Sequence, residues 1–323
     1  MQALLSSDGA VLAAWLQQPT GSVADAIAMG ARQLQSHGVC IGHAADSPID
    51  EAAALVRHAL HLPENWPAHL GQARLLSEEW QQIAALFARR IDERIPAAYL
   101  IGHVRFGELR LKTDARALVP RSPLLELIPS GFAGLPLPPT VHRVLELCTG
   151  GGCLALAMAH AHSHWQVTAV DLSPEALSLA RENAALTGLT ERVRWLQSDL
   201  FGAVQGERFD VIVANPPYLS QIEFEALPAE YGHEPALALP SGIDGLDLTL
   251  RMLAAAPDHL VDDGLLLVEI GEAERALRRA LPTLPLLWVE FAVGGMGVFA
   301  VTCEQLLSQQ TAIQSECNRR GLI

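Results

Sequence analysis

Between residues 142 and 303 the chain alternates short apolar runs with helix-patterned stretches, and this constrains its fold more than any other feature. Runs over 143–147, 166–170, 193–197, 209–214, 265–270, 286–293 and 298–303 read as strands. Stretches over 153–162, 174–187 and 248–260 carry helical spacing. Strands that alternate with helices need crossover connections, so they build a parallel sheet covered by helices on both faces. The last two strands are joined by a Gly-rich turn too short for a crossover, so they must pair antiparallel. The expected architecture is α/β and Rossmann-like, with a seven-stranded sheet.

The fourth strand ends in Asn215-Pro216-Pro217-Tyr218. Two consecutive prolines stop the strand and remove two backbone donors. The residue before a proline is pushed toward extended backbone, which holds Asn215 stiffly at the strand tip. Free carbonyls, one side-chain amide and an aromatic ring then stand together. Such a corner suits a planar amide or amino group, which needs acceptors for its N–H bonds and a flat surface for its face. Asn215, Pro216, Pro217 and Tyr218 are the candidate substrate residues, with Asn215, Pro216 and Tyr218 the catalytic candidates.

A second set of residues converges on the same rim. Glu146-Leu147-Cys148-Thr149-Gly150-Gly151-Gly152-Cys153 lies between the first strand and its helix, where glycines allow a tight turn and close approach of a ligand. Asp171 follows the second strand about twenty residues after the glycines, a place from which a carboxylate can accept bonds from both ribose hydroxyls. Ser198-Asp199-Leu200 follows the third strand. In open α/β sheets, ligands lie beyond the carboxyl ends of the strands. A dinucleotide would bring a diphosphate close to Glu146, whereas a ligand carrying an ammonium or sulfonium group would be attracted there. S-adenosylmethionine offers both cations. The cofactor candidates are Glu146, Cys148, Thr149, Gly150, Gly152, Asp171, Asp199, Leu200 and Asn215.

Residues 1–95 read as a helical domain. Ser22 is placed to cap one helix, Ser47-Pro48 to open a second, and Ser77 to open a third with Trp80, Ile83, Ala84, Phe87 and Ile91 on one face. Residues 96–140 read as a short hairpin around Gly107-Glu108 and a Pro/Gly-rich linker, residues 141–303 as the catalytic domain, and residues 304–323 as a polar tail. The loop 233–247 allows either a flanking or a connecting role, and Arg121 and Glu126 fit a domain interface better than a cofactor contact.

The net charge is −14, and Lys112 is the only lysine. That balance is poor for phosphate contacts, so direct nucleic-acid binding is not expected. Five cysteines without disulfide-like spacing fit a reducing compartment, and no residue set suits zinc. No charged run of a signal peptide precedes Arg32, and no apolar run is long enough to span a bilayer, so a cytoplasmic protein is expected.

With these residues in view, the chain resembles the class I S-adenosylmethionine-dependent methyltransferases, and within them the protein-(glutamine-N5) methyltransferase family. The resemblance rests on the glycine turn, the acidic second-strand end and the Asn-Pro-Pro-Tyr corner behind an N-terminal helical domain, and covers about residues 22–303. It implies methylation of a glutamine side chain in a protein. Family members act on peptide chain release factors or on the third protein of the large ribosomal subunit. Gly42-His43-Ala44-Ala45-Asp46, Val119-Pro120-Arg121-Ser122-Pro123 and Leu147-Cys148-Thr149-Gly150 look most like the members that act on the ribosomal protein. In two places the chain departs from the pattern. Cys148 stands where the superfamily has a glycine, and Leu200 where the release-factor members have a tryptophan. The resemblance therefore asks whether Cys148 can take positive φ. Rival readings are a DNA adenine amino-methyltransferase, an inactive cofactor-binding scaffold and a nicotinamide-dependent dehydrogenase. Base extrusion and phosphate contacts, a labelled-cofactor transfer assay and titration with the reduced dinucleotide separate them.

Overall fold

The computed structural model describes residues 10–18, 20–42, 45–292 and 295–323. They form two compact units. One holds the described residues up to Val104 together with Pro228–His233, and the other holds Arg105–Leu227 and Glu234–Ile323.

The first unit is helical: α1 (Ala10–Leu16), α2 (Val23–Ser36), α3 (Pro48–Ala59), α4 (Ser77–Asp92) and α5 (Ala97–Ile101). Ser22 caps α2 through a reciprocal pair with Asp25, and Ser47 caps α3 with Pro48 in its first turn. At α4 the expected cap is displaced by one residue. Leu76 is the N-cap and its N–H donates to Glu79 Oε2 at 2.8 Å, while Ser77 is already helical. Trp15, Leu34, Leu55, Ile83 and Phe87 form the buried centre. A charged cluster lies inside this unit. Arg90 is 0 % exposed and donates to Glu51 Oε1 at 2.7 Å, to the Cys40 carbonyl at 2.7 Å and to Glu230 Oε1 at 3.4 Å.

Strands β1 (His103–Phe106) and β2 (Leu109–Lys112) pair around Gly107-Glu108, the expected hairpin. The second unit is built on β3 (Arg143–Leu147), α6 (Cys153–Ala161), β4 (Gln166–Asp171), α7 (Pro174–Leu186), β5 (Val193–Gln197), β6 (Phe209–Ala214), α8 (Gln221–Glu225), α9 (Asp247–Ala255), β7 (Leu260–Glu269), α10 (Glu274–Ala280), β8 (Leu287–Trp288) and β9 (Val298–Thr302). Among the described residues, seven strands form one sheet in the order β5-β4-β3-β6-β7-β9-β8. The first five run parallel, and β9 is antiparallel to both β7 and β8. The central strands are buried almost throughout, which is why they read as unbroken apolar runs rather than alternating ones. Two apolar layers cover the sheet, one around Leu145, Ile212 and Leu266 and the other around Val144, Val211 and Leu265.

The strand expected over 286–293 is reduced to Leu287–Trp288, and its last residue, Val293, lies outside the described residues. His43 and Ala44 of the family-like Gly42–Asp46 segment also lie outside them. Residues 304–323, expected as a polar tail, instead continue as α11 (Cys303–Ser308) and α12 (Gln310–Arg320). Thr302 caps α11, and α12 buries Ile313 and Cys317, with Arg320 clamping Asp244 at 2.6 and 2.8 Å. With only two buried positions, α12 has little apolar pattern to show in the sequence. Among the described residues, no helix is long and apolar enough to cross a membrane.

Candidate active site

The sheet register brings the expected residues to one edge. Leu147 pairs with Val170 and with Ala214, Asp171 with Gln197, and Ala214 with Val268. The residues that follow, Cys148, Asp199 and Asn215, therefore stand with Asp171 along the carboxyl ends of adjacent strands, where β3 meets both β4 and β6. A chain that reverses its strand order at β3 leaves a crevice there. It is a cavity of about 480 Å³, within the range of small-molecule sites. Glu146, Cys148, Thr149, Gly150, Asp171, Asp199, Leu200, Asn215 and Pro217 line it.

The glycine turn is held by carboxylates. Gly150 N–H donates to Asp171 Oδ2 at 2.7 Å, and Ser173 N–H to Oδ1 at 2.9 Å. Each oxygen keeps lone-pair capacity toward the cavity. Burial raises the Asp171 pKa against the pull of these N–H groups. Glu146 is 1 % exposed and accepts from the Thr149 hydroxyl at 2.5 Å and the Ala155 N–H at 2.9 Å. It thereby caps α6, whose own N-cap, Gly152, has no side chain to do so. Burial pushes the Glu146 carboxyl up to about 8 against those two donors, and the Asp171 charge adds to the rise. The residue expected to attract a cation therefore has a structural duty in the turn.

Cys148 takes φ 57°, so the left-handed conformation in question at this position is adopted by a non-glycine residue. Leu200 takes φ 46°, and the Ser198 hydroxyl holds it by donating to its carbonyl at 2.7 Å. Burial pushes the Cys148 and Cys153 thiols up, which keeps both protonated and poor nucleophiles. Gly152, expected at the cofactor, is not among the residues that line the cavity. Its φ is 82°, and a Cβ there would fall 2.8 Å from the Trp195 ring, so this glycine serves close packing of α6 on the sheet. Asp199 accepts from Arg251 of α9 at 2.8 Å, so the third-strand carboxylate is an ion-pair partner as well as a wall residue.

At the proline corner, Asn215 and Pro217 face the cavity, whereas Pro216 and Tyr218 are not part of its lining. The Tyr218 ring lies against Gly271, where a Cβ would come within 2.8 Å of Cε2. Beside the corner, the Asn215 amide acts on the Glu269 carboxyl and favours its ionised form. Glu269 also accepts from the Ser122 hydroxyl at 2.5 Å. Burial pushes the Glu269 carboxyl up to about 7, against the Ser122 hydroxyl, the Arg121 charge and the Asn215 amide.

Several wall residues were not legible beforehand. Leu118–Arg121 line the cavity, and Arg121 is clamped by Glu234 at 2.9 Å on each arm, with Val119 N–H donating to Glu234 at 3.1 Å. Arg121 is therefore a wall residue, in contrast to the interface role the sequence favours. Glu126 accepts from the Ala292 N–H at 2.9 Å. The loop 233–247 supplies Pro235, Leu237, Pro240, Ser241 and Asp247 to the wall, and Leu322 reaches it from the C-terminus. Asn183 on α7 ties β2 to the glycine turn, donating to the Lys112 carbonyl at 3.1 Å and the Gly151 carbonyl at 2.9 Å. The local signal for Glu234 was a carboxylate beside a proline in a loop, but nothing local pointed to its partner.

Residues 134–229 match the methyltransferase small domain family, and residues 25–102 match the PrmC N-terminal domain family. The chain is 48 % identical over 299 residues to a ribosomal protein uL3 glutamine methyltransferase of Xanthomonas campestris, covering 93 % of this chain and 97 % of that protein. The proteins of the same name from Bordetella pertussis and Neisseria meningitidis are 43 % and 42 % identical, over 90 % and 91 % of this chain and 98 % and 97 % of theirs. With identity of this level along nearly its whole length, the chain belongs to the family of ribosomal protein uL3 glutamine methyltransferases, which are S-adenosylmethionine-dependent.

Proposed function

We propose that this enzyme methylates the side-chain amide nitrogen of a glutamine in ribosomal protein uL3, in the cytoplasm, with S-adenosylmethionine as donor. The observation that carries the reading is that Asp171 and Asn215 line one cavity at the carboxyl edge of the sheet. The residues present fit the cofactor. Asp171 offers acceptors of the kind a ribose diol needs, Leu172, Leu200 and Leu248 offer apolar surface for a flat base, and Glu146 offers a carboxylate near the glycine turn. When bound, S-adenosylmethionine supplies an electrophilic methyl group on a positively charged sulfur.

A glutamine amide is a weak nucleophile because its lone pair is delocalised over the carbonyl. Asn215 Oδ1 and the Pro216 carbonyl are suited to accept its two hydrogens, which orients the nitrogen and raises its electron density. Tyr218 stiffens the corner from behind Gly271 and is the candidate surface for the amide plane. Fixing the two reactants in line contributes up to about 7–11 kcal/mol in the best cases. Asn215 has no useful proton affinity, so the displaced proton leaves to water. The helical unit is the candidate reader of the protein substrate. A charge of −14 with one lysine does not favour a nucleic-acid contact.

The test is transfer of labelled methyl groups to purified uL3, to release factors and to adenine-containing DNA in parallel, followed by mapping of the labelled atom. Label on a glutamine N5 of uL3 supports the reading. Label confined to release factors or DNA, or no transfer at all, refutes it.

A further inference from the structure

We propose that Glu269, backed by Ser122, is a positioning residue that turns the Asn215 side-chain amide so that its oxygen faces the substrate. This rests on the methyl-transfer reading above. The two ends of an asparagine amide have nearly the same shape, but one accepts and the other donates. A substrate amide that must give up its N–H bonds needs the oxygen end. Nothing in Asn-Pro-Pro-Tyr itself makes that choice.

The neighbouring strand does. Because Ala214 pairs with Val268, the next residues, Asn215 and Glu269, lie side by side. Glu269 is 6 % exposed, and the Asn215 amide next to it across the register favours its ionised form. An ionised carboxylate only accepts, so the Asn215 end that meets it is Nδ2, and Oδ1 is left for the opposite side. Ser122 completes the selection. Its oxygen accepts from the Leu124 N–H at 3.3 Å, which leaves its proton for Glu269 Oε2 at 2.5 Å. Glu269 is not part of the cavity lining. Its influence on the reaction therefore passes through Asn215.

Protonation reverses the selection, since a carboxylic acid can donate to Oδ1 and let the amide turn over. The charged and titratable groups acting on Glu269 are Arg121, from the segment before Ser122, and the Cys153 thiol at the start of α6, which itself feels the Glu269 charge. Arg121 is held by Glu234, so its charge on Glu269 is fixed in place. Burial lifts the Glu269 carboxyl to about 7, which puts the change within reach of an ordinary pH profile.

The experiment is kcat at saturating cofactor and protein substrate, from about pH 5.5 to about pH 9, for wild type, Glu269→Gln and Ser122→Ala. Circular dichroism and calorimetric cofactor affinity accompany each variant. The wild type should lose kcat as pH falls through about 7. Ser122→Ala removes a donor that favours the ionised form, so its acid limb should move to higher pH. Glu269→Gln presents both a donor and an acceptor, so kcat should fall about tenfold and the limb should vanish, with cofactor affinity kept within about threefold. An acid limb of unchanged position in both variants, or a kcat loss matched by an equal loss of cofactor affinity, overturns the proposal. If Glu269→Gln does not fold, the position of the Ser122→Ala limb decides alone. A wild type that labels no glutamine overturns the methyl-transfer reading and this inference together. A wild type that labels uL3 while both variants keep its profile overturns this inference only.

Discussion

The helical unit and the sheet unit bury carboxylates in contrasting ways. In the helical unit, Glu51 and Glu230 share the guanidinium of Arg90, and Glu230 also accepts from the Cys40 N–H at 3.0 Å and from Arg94 at 3.3 Å. Burial pushes the Glu51 carboxyl up against the pull of Arg90. Burial acts on Glu230 in the same direction, but the Cys40 N–H and the two arginines outweigh it and leave its pKa lowered. In the sheet unit, Glu146 and Glu269 are held mainly by hydroxyl and amide donors and are pushed up to about 8 and about 7. A closed ion cluster fixes shape, and its arginines oppose the push of burial on both carboxyls. A carboxylate held by neutral donors keeps a proton that can come and go near neutrality. The first arrangement suits a scaffold, and the second suits a site.

The largest effect should come from breaking the ion cluster. Arg90→Leu leaves two buried carboxylates without their shared cation and should destabilise the helical unit by about 3–5 kcal/mol, read by chemical denaturation. A neutral outcome would mean that the cluster is not what separates the two units. In the sheet unit the same kind of truncation should strike function before stability. Asn215→Ala should lower kcat by about 10²–10³-fold with cofactor affinity little changed, whereas Asp171→Ala should weaken cofactor binding with a smaller effect on kcat at saturation. A normal cofactor Kd for Asp171→Ala, paired with a substrate defect, would reverse the assignment.

The third expectation concerns pH and stability. The Glu146 pKa is raised by folding, from about 4.5 to about 8. The folded state therefore binds the extra proton, so the stability this group contributes is complete below about 4.5 and declines as pH rises toward about 8. Glu146→Gln keeps an acceptor for Thr149 and Ala155 but carries no charge. It should flatten that decline, which is on the order of 2–4 kcal/mol, in melting curves collected across the window. A wild type whose stability is level over the same range would remove Glu146 from the contrast between the units.

Much of the sheet was legible because its signals are local. The strands at 143–147 and 209–214 were expected at the bounds they occupy, since an apolar run bounded by glycines or prolines carries its own limits. The start of α7 at Pro174 was likewise expected where it lies. Legibility failed where a partner lies far along the chain. Arg121 and Glu234 are 113 residues apart, and Lys112 and Asn183 are 71 apart. Either member of each pair looks like an ordinary surface residue when read alone. The C-terminal helices failed for another reason: α12 is polar nearly all round and is held by two buried residues and one arginine clamp.

By itself, the sequence determined the alternation that builds the parallel sheet, the rigid end of β6 at Asn215 and the acidic end of β4 at Asp171, because prolines, glycines and apolar periodicity act over a few residues. Only the tertiary structure decided that Gly152 packs on Trp195 rather than facing the cavity, that Cys148 accepts a left-handed backbone, and that Glu269 stands beside Asn215. Each of these depends on which strand or helix arrives alongside. That is settled by packing and pairing register across the sheet, not by the neighbours of a residue in the chain.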